Sequence, residues 1–392
     1  MFKLFRIKNA ELPIFLFWLF IASLYIRPYN GIMQPFYNMG NYAIFLYSTY
    51  IVVNKWNISG VYIRNIWKIL VSGVLFLIIS RLLNGYRYES QFTSIFLYNI
   101  ALINLFTFGI LDNTWAKLKG FSFLLLIYIV INFITIYIFP DGMYQNDLYT
   151  QNWFLGYKNV MIRTILPGIT LIILCAIHDY GKVVLMDYFL IGIAMISIYL
   201  TKSSTSLVMM VVFVLGILFR SLKRKEYNFS LFKCFIVTMC ISVAFTLFSL
   251  QSFLSSILES LFEKDVTFTG RTYVWAYTLL RLMSSPFIGF GWHSTDEWRE
   301  VLGFYDIITL GFSHPHNFIL YMLLQGGLIY LGLFIYLCYY ISKTFDKLNS
   351  YSYVLTLMYL TFFVEGITES LTGAVLFMPF LGLYAVLNIE KK

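Results

Sequence analysis

Apolar residues come in long runs along this chain, separated by short polar joints, and twelve of the runs have the length of a bilayer-crossing helix. They cover about residues 12–29, 37–54, 66–83, 91–111, 120–139, 159–178, 184–201, 203–220, 231–250, 316–342, 351–366 and 370–388. A helix needs about 20 residues to cross the hydrocarbon core. Backbone in lipid must satisfy its own hydrogen bonds, so the pattern predicts helices. The chain therefore reads as an all-α polytopic membrane protein, a single integral membrane domain over residues 1–392. One joint is long. Residues 251–315 carry seven acids and four basic residues, and a connection of that length is usually functional or disordered. The aromatic density of "RTYVWAYTLLRLMSSPFIGFGW" argues for order.

Composition agrees with the pattern. Hydrophobic residues make up 59% of the 392 positions and charged residues 12%, about half the roughly 25% charged share of a soluble domain. Lys3, Arg6 and Lys8 precede the first run as they would in a signal peptide. With so many further runs, that run reads as an uncleaved first helix. Placing the N-terminus in the cytoplasm puts 18 of the 28 Lys and Arg residues on the inner side and 10 on the outer, which predicts cytoplasmic N- and C-termini and an external 251–315 loop. The formal charge of +9 is then an orientation signal with affinity for anionic headgroups, and gives no reason to expect nucleic acid as a partner. Cys175, Cys234, Cys240 and Cys338 all fall inside apolar runs, so neither a disulfide framework nor a zinc pattern follows.

The informative residues are the ionisable ones that the orientation rule leaves unexplained. Arg27, Arg81, Arg87 and Lys264 lie at helix ends or in loops, where snorkelling suffices. Arg163 stands one turn into a helix, four residues after Asn159 on the same face, with Lys158 at the helix start. Lys202 is set among hydroxyls in "LTKSSTS". Both places suit either anchoring or an anion site. Arg271, Trp275 and Thr278 are spaced to share one helical face, and a guanidinium pairs bidentately with phosphate. Arg281 points about 80° away from Arg271 at ~100° per residue; the same segment would also serve as an amphipathic helix at headgroup level.

In "SHPHN" Pro315 suits the first turn of a helix, so the tenth helix is expected to begin near His314 and His316, with its free N–H groups outward. A histidine there is well placed as a neutral base or a donor to an oxyanion. Three of the four histidines lie between 293 and 316. A metal site from the two paired histidines with His293 or Asp296 is conceivable, but no second ligand motif supports it. Glu365 and Glu369, spaced i, i+4 between the last two runs, need a partner, a raised pKa or a sugar hydroxyl; capping of the last helix is the alternative for Glu369.

These residues resemble the O-antigen ligase and Wzy-type repeat-unit polymerase superfamily of bacterial surface polysaccharide assembly. His316 and Asn317, followed by Gly327 and Tyr330, are similar to the pattern that closes that family's large outer loop. "GRTYVW" and "PFIGFG" resemble the Gly-Arg and Pro-x-x-Gly-x-Gly elements before it, while "GYKN" and "TKSSTSLVMM" resemble the starts of its sixth and eighth helices. The likeness covers about residues 150–390. It implies a GT-C-like glycosyltransferase of the bacterial cytoplasmic membrane, working without metal or other cofactor on undecaprenyl-diphosphate-linked oligosaccharides at the outer leaflet. A flippase and a chain-length regulator are the protein partners it suggests. By position Arg271 would hold the donor diphosphate and His316 would sit at the catalytic centre; Asn317, Arg163, Lys158, Trp275 and Arg281 are candidate substrate contacts beside them. Lys202 stands where the family often has Arg, which forgoes bidentate phosphate binding. His314, in place of the usual Ser-containing lead-in, leaves open which histidine acts.

The chemistry agrees. Breaking an anomeric C–O bond to a diphosphate builds negative charge that fixed cations stabilise, and the acceptor hydroxyl needs a base such as His316 or Glu369. A repeat-unit polymerase for capsule or O-antigen (lipopolysaccharide) is the leading reading, a ligase to lipid A core its rival. A flippase is the alternative of another class, although transporters usually place their site at the midplane between repeated halves.

Overall fold

The computed structural model describes residues 11–22, 34–86, 90–145, 151–223, 230–248, 269–303, 314–345, 350–371 and 374–389. Arg27, Arg87, Lys264 and parts of the long loop (251–268 and 304–313) lie outside the described residues.

The described residues form an α-helical membrane protein. Nine helices precede the long loop: α1 (Glu11–Ala22), α2 (Gln34–Lys55), α3 (Val61–Leu83), α4 (Ser90–Asn104), α5 (Thr114–Ile138), α6 (Ile162–Tyr180), α7 (Leu185–Leu200), α8 (Ser204–Lys223) and α9 (Leu231–Phe248). The loop contributes α10 (Thr269–Leu282) and α11 (Thr295–Leu302), and α12 (Phe318–Phe345), α13 (Ser350–Glu365) and α14 (Phe377–Ile389) follow. Among the described residues four helices are long and apolar enough by themselves to cross a bilayer: Val61–Leu83, Thr114–Ile138, Ile162–Tyr180 and Phe318–Thr344. Several of the others are shorter apolar helices. Each described helix outside the long loop overlaps one of the predicted runs. The clearest displacement is α14, which starts at Phe377 where 370 was expected, because residues 366–371 make an irregular turn.

α2 packs on α4, and α5 on α6; α12 lies against α3 and α9, and α13 against α6, α8 and α9. α6 is buried almost all round, from Ile162 to Ile177, so it is a central post and not a lipid-facing helix. Between α5 and α6 a short hairpin, β1 (Asn152–Trp153) with β2 (Gly156–Tyr157), folds back onto the bundle. Asn132 accepts the Leu155 N–H at 2.9 Å, and the Trp153 indole donates to the Phe139 carbonyl at 2.7 Å. Basic residues of one end are tied down locally: Lys55 pairs with Asp112, Lys119 with Asp179, and Arg220 donates to the Ser350 carbonyl.

α12 is broken. Gly326 (φ −141°, ψ 16°) and Gly327 (φ 59°, ψ −160°) leave the helical region, freeing backbone groups that must find partners inside the protein. The long loop supplies them. Phe290 and Gly291 N–H donate to the Leu324 and Gln325 carbonyls, each at 2.7 Å, and Leu328 and Ile329 N–H donate to the Pro286 and Phe287 carbonyls at 2.9 and 3.1 Å. Backbone runs against backbone here, so a side chain has no room. A Cβ on Gly289 would sit 2.6 Å from the Gly326 nitrogen, which is why "PFIGFG" is glycine-rich.

Arg81 is corrected by the structure. Expected as a snorkelling anchor, it is 1% exposed and grips the loop. Its guanidinium reaches both Glu297 oxygens at 2.5 and 3.1 Å and donates to the Trp292 carbonyl at 2.8 Å and to His293 Nδ1 at 2.9 Å. Because arginine only donates, His293 Nδ1 accepts and its Nε2 carries the hydrogen given to the Phe290 carbonyl at 2.8 Å. Glu297 also closes a capping box with Ser294 at the start of α11.

Candidate active site

Five elements meet at the end of the bundle where α6 and α12 begin and α13 ends. The histidine segment comes first. α12 begins at Phe318, so Pro315 is not in its first turn and the histidines precede the helix. Asn317 takes the capping position: its Oδ1 accepts the Leu320 N–H at 3.0 Å, a role asparagine fills far better than histidine. The same side chain, fully buried, donates to Ser242 Oγ of α9 at 2.7 Å and to the Ile367 carbonyl at 3.1 Å. Phe318 N–H donates to the Gly366 carbonyl at 2.7 Å. From the other side the Trp275 indole of α10 donates to the Pro315 carbonyl at 2.7 Å. Held on both flanks, His316 adopts a left-handed φ of 47°, and its ring stacks on that of His314 with centroids 4.2 Å apart.

The turn that ends α13 brings two carboxylates to this segment, one helical turn apart, with Glu369 N–H donating to the Glu365 carbonyl at 2.9 Å. Each meets an arginine from a different helix. Arg163 of α6 bonds Glu365 Oε1 through Nε and Nη2 at 2.9 and 2.8 Å, in a pair that is 4% and 1% exposed. Arg271 of α10 donates to the Thr368 carbonyl at 2.6 Å and approaches Glu369 Oε1 at 3.3 Å. The second oxygen of Glu369 faces His316 Nδ1 at 3.2 Å. One carboxylate thus bridges a guanidinium and an imidazole.

Protonation states follow. Burial raises the Glu369 pKa, but the His316 hydrogen bond and the charges of His316, Arg271 and Arg163 outweigh it and hold the carboxyl down to about 2. Ionised, Glu369 only accepts, so His316 Nδ1 carries the hydrogen between them and Nε2 is the basic nitrogen. His314 is pushed down to about 3, by burial first and then by His316, with Glu369 opposing and Arg163 and Arg271 adding to the fall. It stays neutral.

The remaining expected residues are spread more widely. Trp275 is buried at 1%, so it supports the histidine segment and offers no open face for stacking. Thr278 beside it on α10 is also buried, while Tyr273 and Leu280 are exposed, as an amphipathic helix requires. Arg281, about 15 Å further along α10 at ~1.5 Å per residue, stacks on Phe290 at 4.8 Å; it and Arg271 do not meet. Lys158 and Lys202 belong to a hydroxyl-rich rim beside the start of α6, where Asn159 Oδ1 accepts from Ser203 Oγ at 2.8 Å and Ser206 Oγ donates to the Lys158 carbonyl at 3.3 Å. Lys202 is exposed at a left-handed φ of 54°.

His293, considered above as a third metal ligand, is committed to Arg81 and Phe290. The group whose ligand atoms do converge is His314, His316 and Glu369, all within 4.8 Å of one another. Arg271 against Glu369 and Arg163 on the adjoining Glu365 make that spot poorly suited to a dication. Sequence reasoning saw Glu365 and Glu369 as a pair but missed their arginine partners. Covalent spacing carries no sign that α6 and α10 point their guanidiniums at one turn.

With this geometry established, residues 189–337 match the family model described as O-antigen ligase, which supports the superfamily resemblance read from the sequence motifs. The matched stretch runs from within α7 through most of α12 and contains Arg271, His314 and His316; Arg163 and the Glu365–Glu369 turn lie outside it. A comparison with curated proteins gave no match.

Proposed function

We propose that this chain, with its O-antigen ligase family segment, is a repeat-unit polymerase that joins undecaprenyl-diphosphate-linked oligosaccharides at the outer face of the cytoplasmic membrane. The observation that carries the reading is the meeting of two arginines and an imidazole–carboxylate pair at one end of an apolar helical bundle. Soluble nucleotide sugars do not demand such a place. A lipid-anchored diphosphate does, because its headgroup lies at the membrane boundary.

In this mechanism the acceptor sugar hydroxyl lies against His316 Nε2. As it attacks the anomeric carbon of the donor, its proton passes to Nε2, the new C–O bond forms and the C–O bond to the diphosphate breaks, the electron pair leaving with the diphosphate. Glu369 holds the imidazole in the productive tautomer and stabilises the imidazolium, as the orienting acid of a catalytic triad does. Arg271, with Arg163 behind it, faces the charge that develops on the leaving group. Lys202 and Lys158 extend the cationic rim towards solvent, where the lipid-linked acceptor's own phosphates would arrive.

The printed description of the matched family, O-antigen ligase, favours a second reading in which the acceptor is lipid A core or another glycolipid. One experiment addresses both. Protein in lipid nanodiscs is given lipid-linked repeat units alone, or with core glycolipid. A polymerase makes a ladder from the repeat units alone; a ligase turns over only with the second acceptor. Arg271→Ala and His316→Ala should abolish either product while the folded protein is retained, and full activity in both variants would refute the assignment.

A further inference from the structure

We propose that donor binding arms the base: the donor's diphosphate replaces Glu369 at Arg271, and the carboxylate so released turns wholly to His316. This rests on the glycosyltransferase reading above and adds an order of events to it.

Among the described residues the groups around His316 are His314 on its own segment, Glu369 and Glu365 on the turn after α13, Arg271 on α10 and Arg163 on α6. Two guanidiniums face two carboxylates, so the resting cluster is neutral, and a phosphate group meets no surplus of positive charge until an arginine lets go of its partner. The two pairs differ in how readily they do so. Arg163 and Glu365 are both buried and joined by two short contacts at 2.8 and 2.9 Å; separating them would leave an uncompensated charge inside the protein. Arg271 is 24% exposed and reaches Glu369 through one long contact of 3.3 Å, while its better bond, at 2.6 Å, goes to the Thr368 carbonyl. The less deeply buried pair, with the longer contact, is the one that exchanges. Thr368 keeps the guanidinium in place while its other nitrogen changes partner.

Exchange has a chemical consequence at the imidazole. In the resting state Glu369 divides its charge between Arg271 and His316. Once a phosphate oxygen has taken Arg271, the carboxylate's remaining direct side-chain contact in that set is the imidazole, and its charge stabilises the imidazolium formed when the acceptor hydroxyl gives up its proton. Glu369 is then a positioning residue that acts through His316, and it also competes with the donor for Arg271. A water molecule reaching the empty site meets a weaker base than the acceptor meets in the loaded one.

The test uses farnesyl diphosphate as a short-chain probe, bound to the full-length protein in nanodiscs and followed by calorimetry, alongside glycosyl transfer. If Glu369 competes with the ligand, Glu369→Gln binds the probe about fivefold more tightly than wild type, the scale of one partly exposed ion pair removed, while transfer is lost. Glu365→Gln, whose buried arginine keeps a hydrogen-bonding partner at that position, tightens binding less than Glu369→Gln does. Arg271→Ala loses probe binding. In 15N-histidine spectra the His316 signal shifts when the probe binds wild type and stays in place in Glu369→Gln, a readout that a merely structural residue would not move. Wild-type binding with equal or weaker binding in Glu369→Gln overturns the exchange while leaving the diphosphate site intact. Absence of any probe binding to wild type overturns the diphosphate site, and the exchange with it.

Discussion

Arg163 and Glu365 offer the sharpest energetic test, because one substitution should damage the protein and a second should repair it without restoring function. The pair is 4% and 1% exposed, and Glu365 Oε2 has no hydrogen-bond partner among the described residues. Arg163→Met leaves a buried carboxylate with nothing opposite it, a loss of about 3–5 kcal/mol. Glu365→Met alone removes the guanidinium's buried counter-ion at similar cost. Together the two Met side chains fill the space with apolar volume, and such replacements are neutral or stabilising by roughly 1–4 kcal/mol. The double variant is therefore expected to unfold near wild type or above it in a detergent titration monitored by tryptophan fluorescence, and to be inactive because Arg163 is gone. A double variant as unstable as the singles would show that Arg163 and Glu365 each matter through other contacts, and the buried-pair argument would fail.

Three further outcomes can be checked on the same preparations. Gly289→Ala places a methyl 2.6 Å from the Gly326 nitrogen at a φ of +63°; a loss of about 1–3 kcal/mol is expected, and wild-type unfolding would refute the stitched-backbone account. Asn317→Ala removes the α12 cap and two buried donations, for a loss of roughly 1–2 kcal/mol seen as a lower melting temperature and reduced transfer, with Asn317→Asp recovering only the cap. The Arg81 clamp should loosen in acid. Burial lowers the His293 pKa to about 4, with Phe290 and Glu297 opposing and Arg81 adding to the fall. The unfolded segment therefore binds more protons than the folded one between about pH 6.5 and 4, and stability falls as pH falls through that window. Burial raises the Glu297 pKa, but Arg81 and the Ser294 backbone outweigh it and leave it lowered; its contribution is lost at still lower pH. Proteolysis of the long loop should accelerate below about pH 6.5, and a rate that is flat down to pH 4 would contradict the assignment of His293 as a buried neutral ring.

Much of the scaffold was legible because lipid imposes a simple code. An apolar run of the right length has one backbone solution, and the described helices outside the long loop overlap the predicted runs. The arrangement of the candidate site was legible only in part. Arg271, His316 and Glu369 could be singled out because each is an ionisable residue with no orientation role. Their convergence could not, since it depends on where α10 lies relative to the turn after α13. Arg81 misled for a related reason: at the end of an apolar run, sequence does not distinguish an arginine reaching water from one reaching a buried Glu297. The α12 start moved by two residues because Asn317, not Pro315, decides where the helix begins.

The break in α12 has a consequence for anyone building chimaeras. A long loop beside a candidate site invites exchange as a cassette, cut where it meets the helices. Here such a cut passes through shared main-chain hydrogen bonds: residues 286–291 complete the middle of α12, and α3 grips the loop through Arg81. A graft of foreign residues 269–317 whose backbone does not keep this register would leave the buried Leu324 and Gln325 carbonyls of the host helix without partners. Specificity swaps in this protein should carry α12 through Ile329 and the end of α3 along with the loop.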